Sequence, residues 1–171
     1  MTESGGLAAA FDGNTSQNAS QGARKVGGGH YGHHVGKNYG SGTTYAVTQV
    51  MVTNVTGEGL LNEAADNSEH RMKLQWSDNG SSWSDAWESQ DNFTRQSNVA
   101  LGATVTIDSS TASTGTNNIA TAGAHQYWRV NIAGNSSNGT NIAELRFFAR
   151  TTNATGTLIG TANTASSSRT K

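Results

Sequence analysis

At 171 residues, with a net charge of -1 and a pI near 6.5, the chain suits one domain with a proper core and shows no electrostatic footprint for DNA, RNA or an anionic membrane. Only 33% of its residues are hydrophobic and 13% charged, so its polarity comes from Gly, Ser, Thr and Asn, which favour turns and strands over helices. Cys and Pro are absent, which excludes disulfides and thiolate metal sites, and no stretch approaches the ~18 apolar residues of a membrane-spanning helix.

The opening "MTESGGLAAAF" has no basic region followed by an apolar core, so no export signal is expected. Without export, the Asn-x-Ser/Thr triplets at Asn54 and Asn92 read as composition rather than as glycosylation sites. Residues 10–20, "AFDGNTSQNAS", then place oxygen-bearing side chains at alternate positions: Asp12, Asn14, Ser16 and Asn18. Two readings stand side by side. Ca²⁺ needs about six to eight hard oxygens, which such a loop can offer, whereas an Asx-type turn uses Asp12 and Asn14 to bond their own backbone. An EF-hand is excluded, because Gln17 stands where that loop needs Gly and Ala23 where it needs a bidentate Glu.

"GGGHYGHHVGK", residues 27–37, formally contains G-x-G-x-x-G at Gly27, Gly29 and Gly32, but no strand precedes it and no helical pattern follows. Lys37 is followed by Asn38 rather than Ser or Thr, so a phosphate-binding P-loop fails too. His30, His33 and His34 offer imidazoles to zinc or nickel, yet no Cys or carboxylate completes the set. The alternative is a Gly loop whose imidazoles face solvent. Residues 17–44 as a whole are expected to be loop.

Strands follow. "YAVTQVMVTNV" (45–55) is rich in β-branched residues, and "RMKLQWS" (71–77) alternates Met72, Leu74 and Trp76 with Arg71, Lys73 and Gln75. Asn79-Gly80 predicts a type I′ turn, with "SWSDAWES" (82–89) returning from it. Further strands are expected at 103–108, 125–133 and 142–149. The expected core comprises Val47, Val50, Val52, Leu74, Trp76, Trp83, Val105, Ile107, Trp128, Val130, Ile132, Leu145 and Phe147. Trp83 and Trp128 read as core rather than as a sugar platform. Trp87 is unsettled, because Trp83, Asp85 and Trp87 share one face of an ideal strand and Asp85 does not belong in a core.

Catalysis has little support: there is no G-x-S-x-G, no H-E-x-x-H and no Cys nucleophile, and Asp85 with Glu88 reads as a solvated edge. A non-enzyme built as an antiparallel sandwich or barrel is expected.

The order of "AFDGNTS", "VGKNYGS", "LQWSDNGSSW" and "YWRVNIAG" followed by "IAELRFFA" resembles the discoidin, or coagulation factor 5/8 type C, domain over about residues 8–149. The resemblance implies a jelly-roll β-sandwich, often called galactose-binding-like, spanning 1–149 with a Gly-rich loop at 22–44 and a polar C-terminal arm at 150–171. It implies binding of glycans, lipids or proteins rather than catalysis. It also implies one Ca²⁺ held by Asp12, Asn14 and Glu144, with backbone oxygens from around Ala10, Thr15 and Ala143. Tyr31, His33 and His34 fall near the ligand-contacting loops of discoidin-like lectins and, with Trp87, are candidate glycan contacts.

The Gly/Ser/Thr/Asn-rich, Cys-free character further resembles small bacteriophage virion proteins such as head decorations or tail and fibre subunits. The expected partners are then other virion proteins or further copies of the chain, with host surface glycans secondary and neither nucleic acid nor membrane involved. The expected location is the virion. The alternative is a carbohydrate-binding module or lectin.

Overall fold

The computed structural model describes residues 10–16, 23–25, 33–54, 71–89, 104–133, 140–152 and 158–163. Its named elements are all strands: β1 (Ala23–Lys25), β2 (His33–Asn38), β3 (Ala46–Thr53), β4 (Arg71–Ser77), β5 (Ser84–Ser89), β6 (Thr104–Asp108), β7 (Ser113–Asn117), β8 (Tyr127–Ala133), β9 (Thr140–Ile142), β10 (Glu144–Thr152) and β11 (Leu158–Asn163). Among the described residues no helix is long and apolar enough to cross a membrane.

The strands richest in Val, Ile and aromatic residues take the central places, where both edges are paired. β3 lies between β10 and β6 in a four-stranded sheet of order β11-β10-β3-β6, and β8 lies between β2 and β4 in a five-stranded sheet of order β2-β8-β4-β5-β7. β1 and β9 pair separately. Every pairing is antiparallel. The two larger sheets form the sandwich expected from the alternating patterns.

Register aligns the apolar positions. In one sheet Val50 stands beside Ile107 and Phe147, and Val52 beside Val105 and Leu145. In the other, Val130 stands beside Val35 and Leu74, and Trp128 beside Lys37 and Trp76. Trp87, Trp128, Phe147, Met72, Leu74 and Ile107 are the largest apolar side chains in the resulting core. Burial of each contributes ~1.5–3 kcal/mol, whereas a surface ion pair contributes ~0–1 kcal/mol, so apolar contact between the sheets dominates stability.

Strict alternation fails in β3, where Val47 and Val50 are both buried. The pairing with β10 explains it: Gln49 lies opposite Phe148 and Val47 opposite Ala149, which leaves Thr48 as an extra residue. This β-bulge resets the parity of the strand.

Several expectations need correction. The Asn79-Gly80 turn is a six-residue loop between Ser77 and Ser84 rather than a two-residue type I′ turn, although Gly80 does adopt positive φ (73°). The region expected to be loop at 17–44 contributes β1 and β2. The chain beyond 149 is not simply an arm, since β10 continues to Thr152 and β11 pairs with it as an edge strand. Trp83 is only partly buried and lies outside the core, and Trp76 packs against the core's edge. The burial of Ile132 lies outside the described residues.

Candidate functional site

The β4–β5 hairpin decides which side chains reach the surface. Leu74 pairs with Trp87, but Gln75 pairs with Asp85, so Ala86 is an extra residue on β5. This second bulge shifts parity between the two halves of "WSDAW". Trp87 therefore turns inward to 0% exposure, while Asp85 and the preceding Trp83 lie on the outer side. The misplaced Asp85 of the sequence reading is resolved by one inserted alanine.

The loop before Trp83 is held by short side chains. Ser77 Oγ accepts from the backbone N–H groups of Asn79 and Gly80, and Asn79 Oδ1 accepts from those of Ser81 and Ser82 at 2.8 Å each. Asx-type bonding of this kind fixes a loop without apolar burial. Gly80 also packs against Tyr127, since a Cβ there would sit 3.2 Å from its ring.

On the outer face of the five-stranded sheet, four side chains from three strands form a continuous polar chain. Lys73 Nζ donates to Asp85 Oδ2 at 2.7 Å, Gln75 Nε2 donates to Asp85 Oδ1 at 2.6 Å, and Arg129 Nε donates to Gln75 Oε1 at 2.8 Å. Glu88 lies 3.5 Å from Lys73. The guanidinium of Arg129 then lies over the Trp83 indole, 3.8 Å from the ring centroid, and Tyr127 meets the same indole edge-on at 6.4 Å. The hydrogen bond to Asp85 raises the Lys73 pKa above its ordinary value, against an opposing effect of burial. Burial lowers that of Arg129, with Asp85 opposing the shift. Gly36 stands opposite Arg129 on β2, and the strands approach so closely there that a Cβ at this position would meet Arg129 Cβ at 2.5 Å.

A second cluster occupies one end of the sandwich. Trp76 and His125 stack with centroids 3.5 Å apart and planes at 9°, His125 Nδ1 lies 2.9 Å from Asp78 Oδ1, and Trp128 Nε1 donates to Tyr45 O at 2.9 Å. The Nε2–H of His125 donates to Ala122 O. The imidazole is held from several sides, as expected for a ring that ties loop 118–126 to β4 rather than one that serves a ligand.

The N-terminal turn forms a third. Asp12 Oδ1 accepts from Asn14 N–H and Asn14 Oδ1 from Ser16 N–H, as the Asx-turn reading expects. Glu144 does reach this turn from β10: it is 1% exposed and its Oε2 accepts from Gly13 N–H at 2.9 Å. Its Oε1, however, receives Arg146 Nε at 3.2 Å, and the same guanidinium reaches Gly13 O at 3.5 Å. A Ca²⁺ expected on Asp12, Asn14 and Glu144 competes with that guanidinium for both the carboxylate and the carbonyl. In this arrangement the donor set does not fit a resident Ca²⁺, and among the described residues no three His, Cys, Asp or Glu side chains gather for a metal.

Of the glycan-contact candidates, His34 is exposed and stands opposite Asn131 on β8, on the same sheet face as Arg129. Trp87 is corrected: a fully buried indole, with Nε1 donating to Thr111 O at 3.3 Å, presents no ring face to a sugar. Tyr31 and the side chain of His33 lie outside the described residues. Sequence reasoning missed Arg129. Its signal was its place between Trp128 and Val130, two inward residues, which sends it outward beside Lys73 and Gln75 once β8 pairs with β4.

No family model matches the chain, and no curated protein matches it in sequence. Among solved structures, CBM62 from Clostridium thermocellum Xyl5A is similar in fold, with a TM-score of 0.52 and 21% sequence identity over 85% of this chain and 84% of that one. CBM62 is a carbohydrate-binding module. The all-β sandwich architecture is therefore shared with that module.

Proposed function

We propose that this chain is a non-catalytic carbohydrate-binding module, and that its ligand rests on the outer face of the five-stranded sheet around Trp83. The observation that carries the reading is the partly exposed indole set at the end of the Lys73–Asp85–Gln75–Arg129 chain. A sugar ring offers an apolar C–H face and a rim of hydroxyls. It therefore asks for an aromatic surface beside fixed donors and acceptors. Trp83 and Tyr127 supply the first and the polar chain supplies the second. The fold likeness to a carbohydrate-binding module agrees with this reading. A place in a virion rests on composition and family resemblance alone, and the sugar reading does not depend on it.

Affinity electrophoresis of the full chain through gels containing neutral and acidic polysaccharides tests the reading. Retardation by at least one polysaccharide is expected, and Trp83→Ala is expected to abolish it while leaving the thermal midpoint nearly unchanged. A chain that no polysaccharide retards, or a Trp83→Ala variant retarded like the wild type, overturns it.

A further inference from the structure

Resting on the carbohydrate-binding reading, we infer that the preferred ligand is an acidic glycan whose carboxylate docks on the guanidinium of Arg129. Three observations converge on that residue. First, Arg129 is held in place: Nε is committed to Gln75, Gln75 to Asp85 and Asp85 to Lys73, while the guanidinium plane is supported by Trp83. A positioned guanidinium loses little entropy when it binds.

Second, its terminal nitrogens are not used. Both oxygens of Asp85 are taken, one by Lys73 and one by Gln75, and the terminal nitrogens of Arg129 have no hydrogen-bond partner among the described residues. What is left is an end-on fork of parallel N–H groups, the geometry that matches a carboxylate in two bonds.

Third, the face is polarised. Asp85 and Glu88 gather around Lys73 on the β5 side, with both Asp85 oxygens already engaged, whereas Arg129 stands one strand further on, in β8, opposite Gly36 of β2. A ligand carboxylate is thus drawn to the unused end of Arg129 rather than to Lys73, which already faces two acids. At Gly36 β2 lies hard against β8: a Cβ there would sit 2.5 Å from Arg129 Cβ and 2.3 Å from Trp128 O, so a side chain at this position would displace Arg129.

Calorimetric titration with polygalacturonate, its methyl ester and a neutral galactan distinguishes this inference from the reading beneath it. The wild type is expected to bind the acid polymer at least about tenfold more tightly than the ester, because esterification removes the charge and half the bidentate acceptor. Added salt is expected to weaken only the acid complex. Arg129→Lys retains the charge without the fork and is expected to lose about tenfold on the acid. Arg129→Met is expected to remove the preference altogether. Melting curves report whether each variant folds, and the acid-against-ester comparison on the wild type needs no variant at all. Equal affinity for acid and ester, or a preference that survives in Arg129→Met, overturns the inference and leaves the sugar reading standing. Absence of binding to all three polymers and to the wider polysaccharide panel overturns both.

Discussion

The two faces of the five-stranded sheet use the same strands for opposite ends, and Trp83 and Trp87 mark the divide. Inward, Trp87, Leu74, Val130 and Val35 form one row of the apolar core. Outward, the neighbouring row joins Asp85, Gln75 and Arg129 through hydrogen bonds, with Gly36 completing it. Magnitudes separate their roles. Each inward aromatic contributes several kcal/mol of burial, whereas the Lys73–Asp85 pair, with side chains 24% and 29% exposed, contributes at most ~1 kcal/mol after solvent screening. A network of four positioned polar side chains is therefore poorly explained by stability and better explained by what it holds ready at the surface.

The largest effects are expected from confusing the two faces. Deletion of Ala86 removes the bulge, so either Trp87 turns outward or Asp85 turns into the core, and burial of an unpaired carboxylate costs several kcal/mol. Loss of the cooperative urea transition is the expected outcome. Trp87→Ala is expected to cost ~3–5 kcal/mol through lost burial and the cavity left behind. Trp83→Ala is expected to cost under ~1 kcal/mol. Equal losses in the two Trp variants would mean that both rings serve the core and that the outer face has no separate purpose.

An intermediate effect is expected at Gly36, where the faces meet across a strand pair. Gly36→Ala places a methyl group against the backbone of β8, 2.3 Å from Trp128 O, and such overpacking costs ~1–3 kcal/mol. The same change crowds Arg129. Denaturant titration should record the stability loss, and calorimetry on the acid polymer a weaker complex. A variant as stable as the wild type would show that β2 does not approach β8 so closely.

How far this division was legible in the sequence depends on the residue. Alternation in "RMKLQWS" assigned Met72 and Leu74 inward and Lys73 and Gln75 outward, and β3, β8 and β10 were readable as strands from their β-branched and aromatic residues. The two bulges were not. An extra residue at Thr48 or Ala86 leaves no mark on composition and is defined only by the partner strand, as the unsettled Trp87 illustrates. β7, "STGTN", escaped for a different reason: it holds no apolar residue and exists through pairing at the sheet edge. Arg129 became meaningful only when nonlocal pairing set it beside Gln75 and the loop carried Trp83 against it.

A smaller contrast separates the outer network from the Glu144 cluster, where a carboxylate is enclosed rather than displayed. Glu144→Gln keeps an acceptor for Gly13 N–H but removes the charge that faces Arg146. A loss of ~1–3 kcal/mol is expected, in line with hydrogen bonds to buried charged groups. Because Arg146 already supplies the positive charge, millimolar Ca²⁺ or a chelator should leave the wild-type melting midpoint unchanged. A Ca²⁺-dependent rise that Glu144→Gln abolishes would restore the metal site on Asp12, Asn14 and Glu144.

The smallest effect is expected at Asp108, at the end of β6 and away from both faces of interest. Its carboxylate pKa is lowered from 3.8, first by the Ser110 hydroxyl and then by the Ser110 backbone N–H, with Thr111 adding to the shift. A depressed folded-state value means that ionised Asp108 favours the folded chain. That stability is complete above the unfolded value near 3.8 and disappears as pH falls through the lower folded value. The group is largely solvated, so screening leaves only about 0.5 kcal/mol. Asp108→Asn should therefore melt slightly below the wild type at pH 7, and the two curves should converge as the pH drops below 3.8. Curves that stay apart under acid would show that the loss lies in turn geometry, through the Ser110 and Thr111 bonds, rather than in charge.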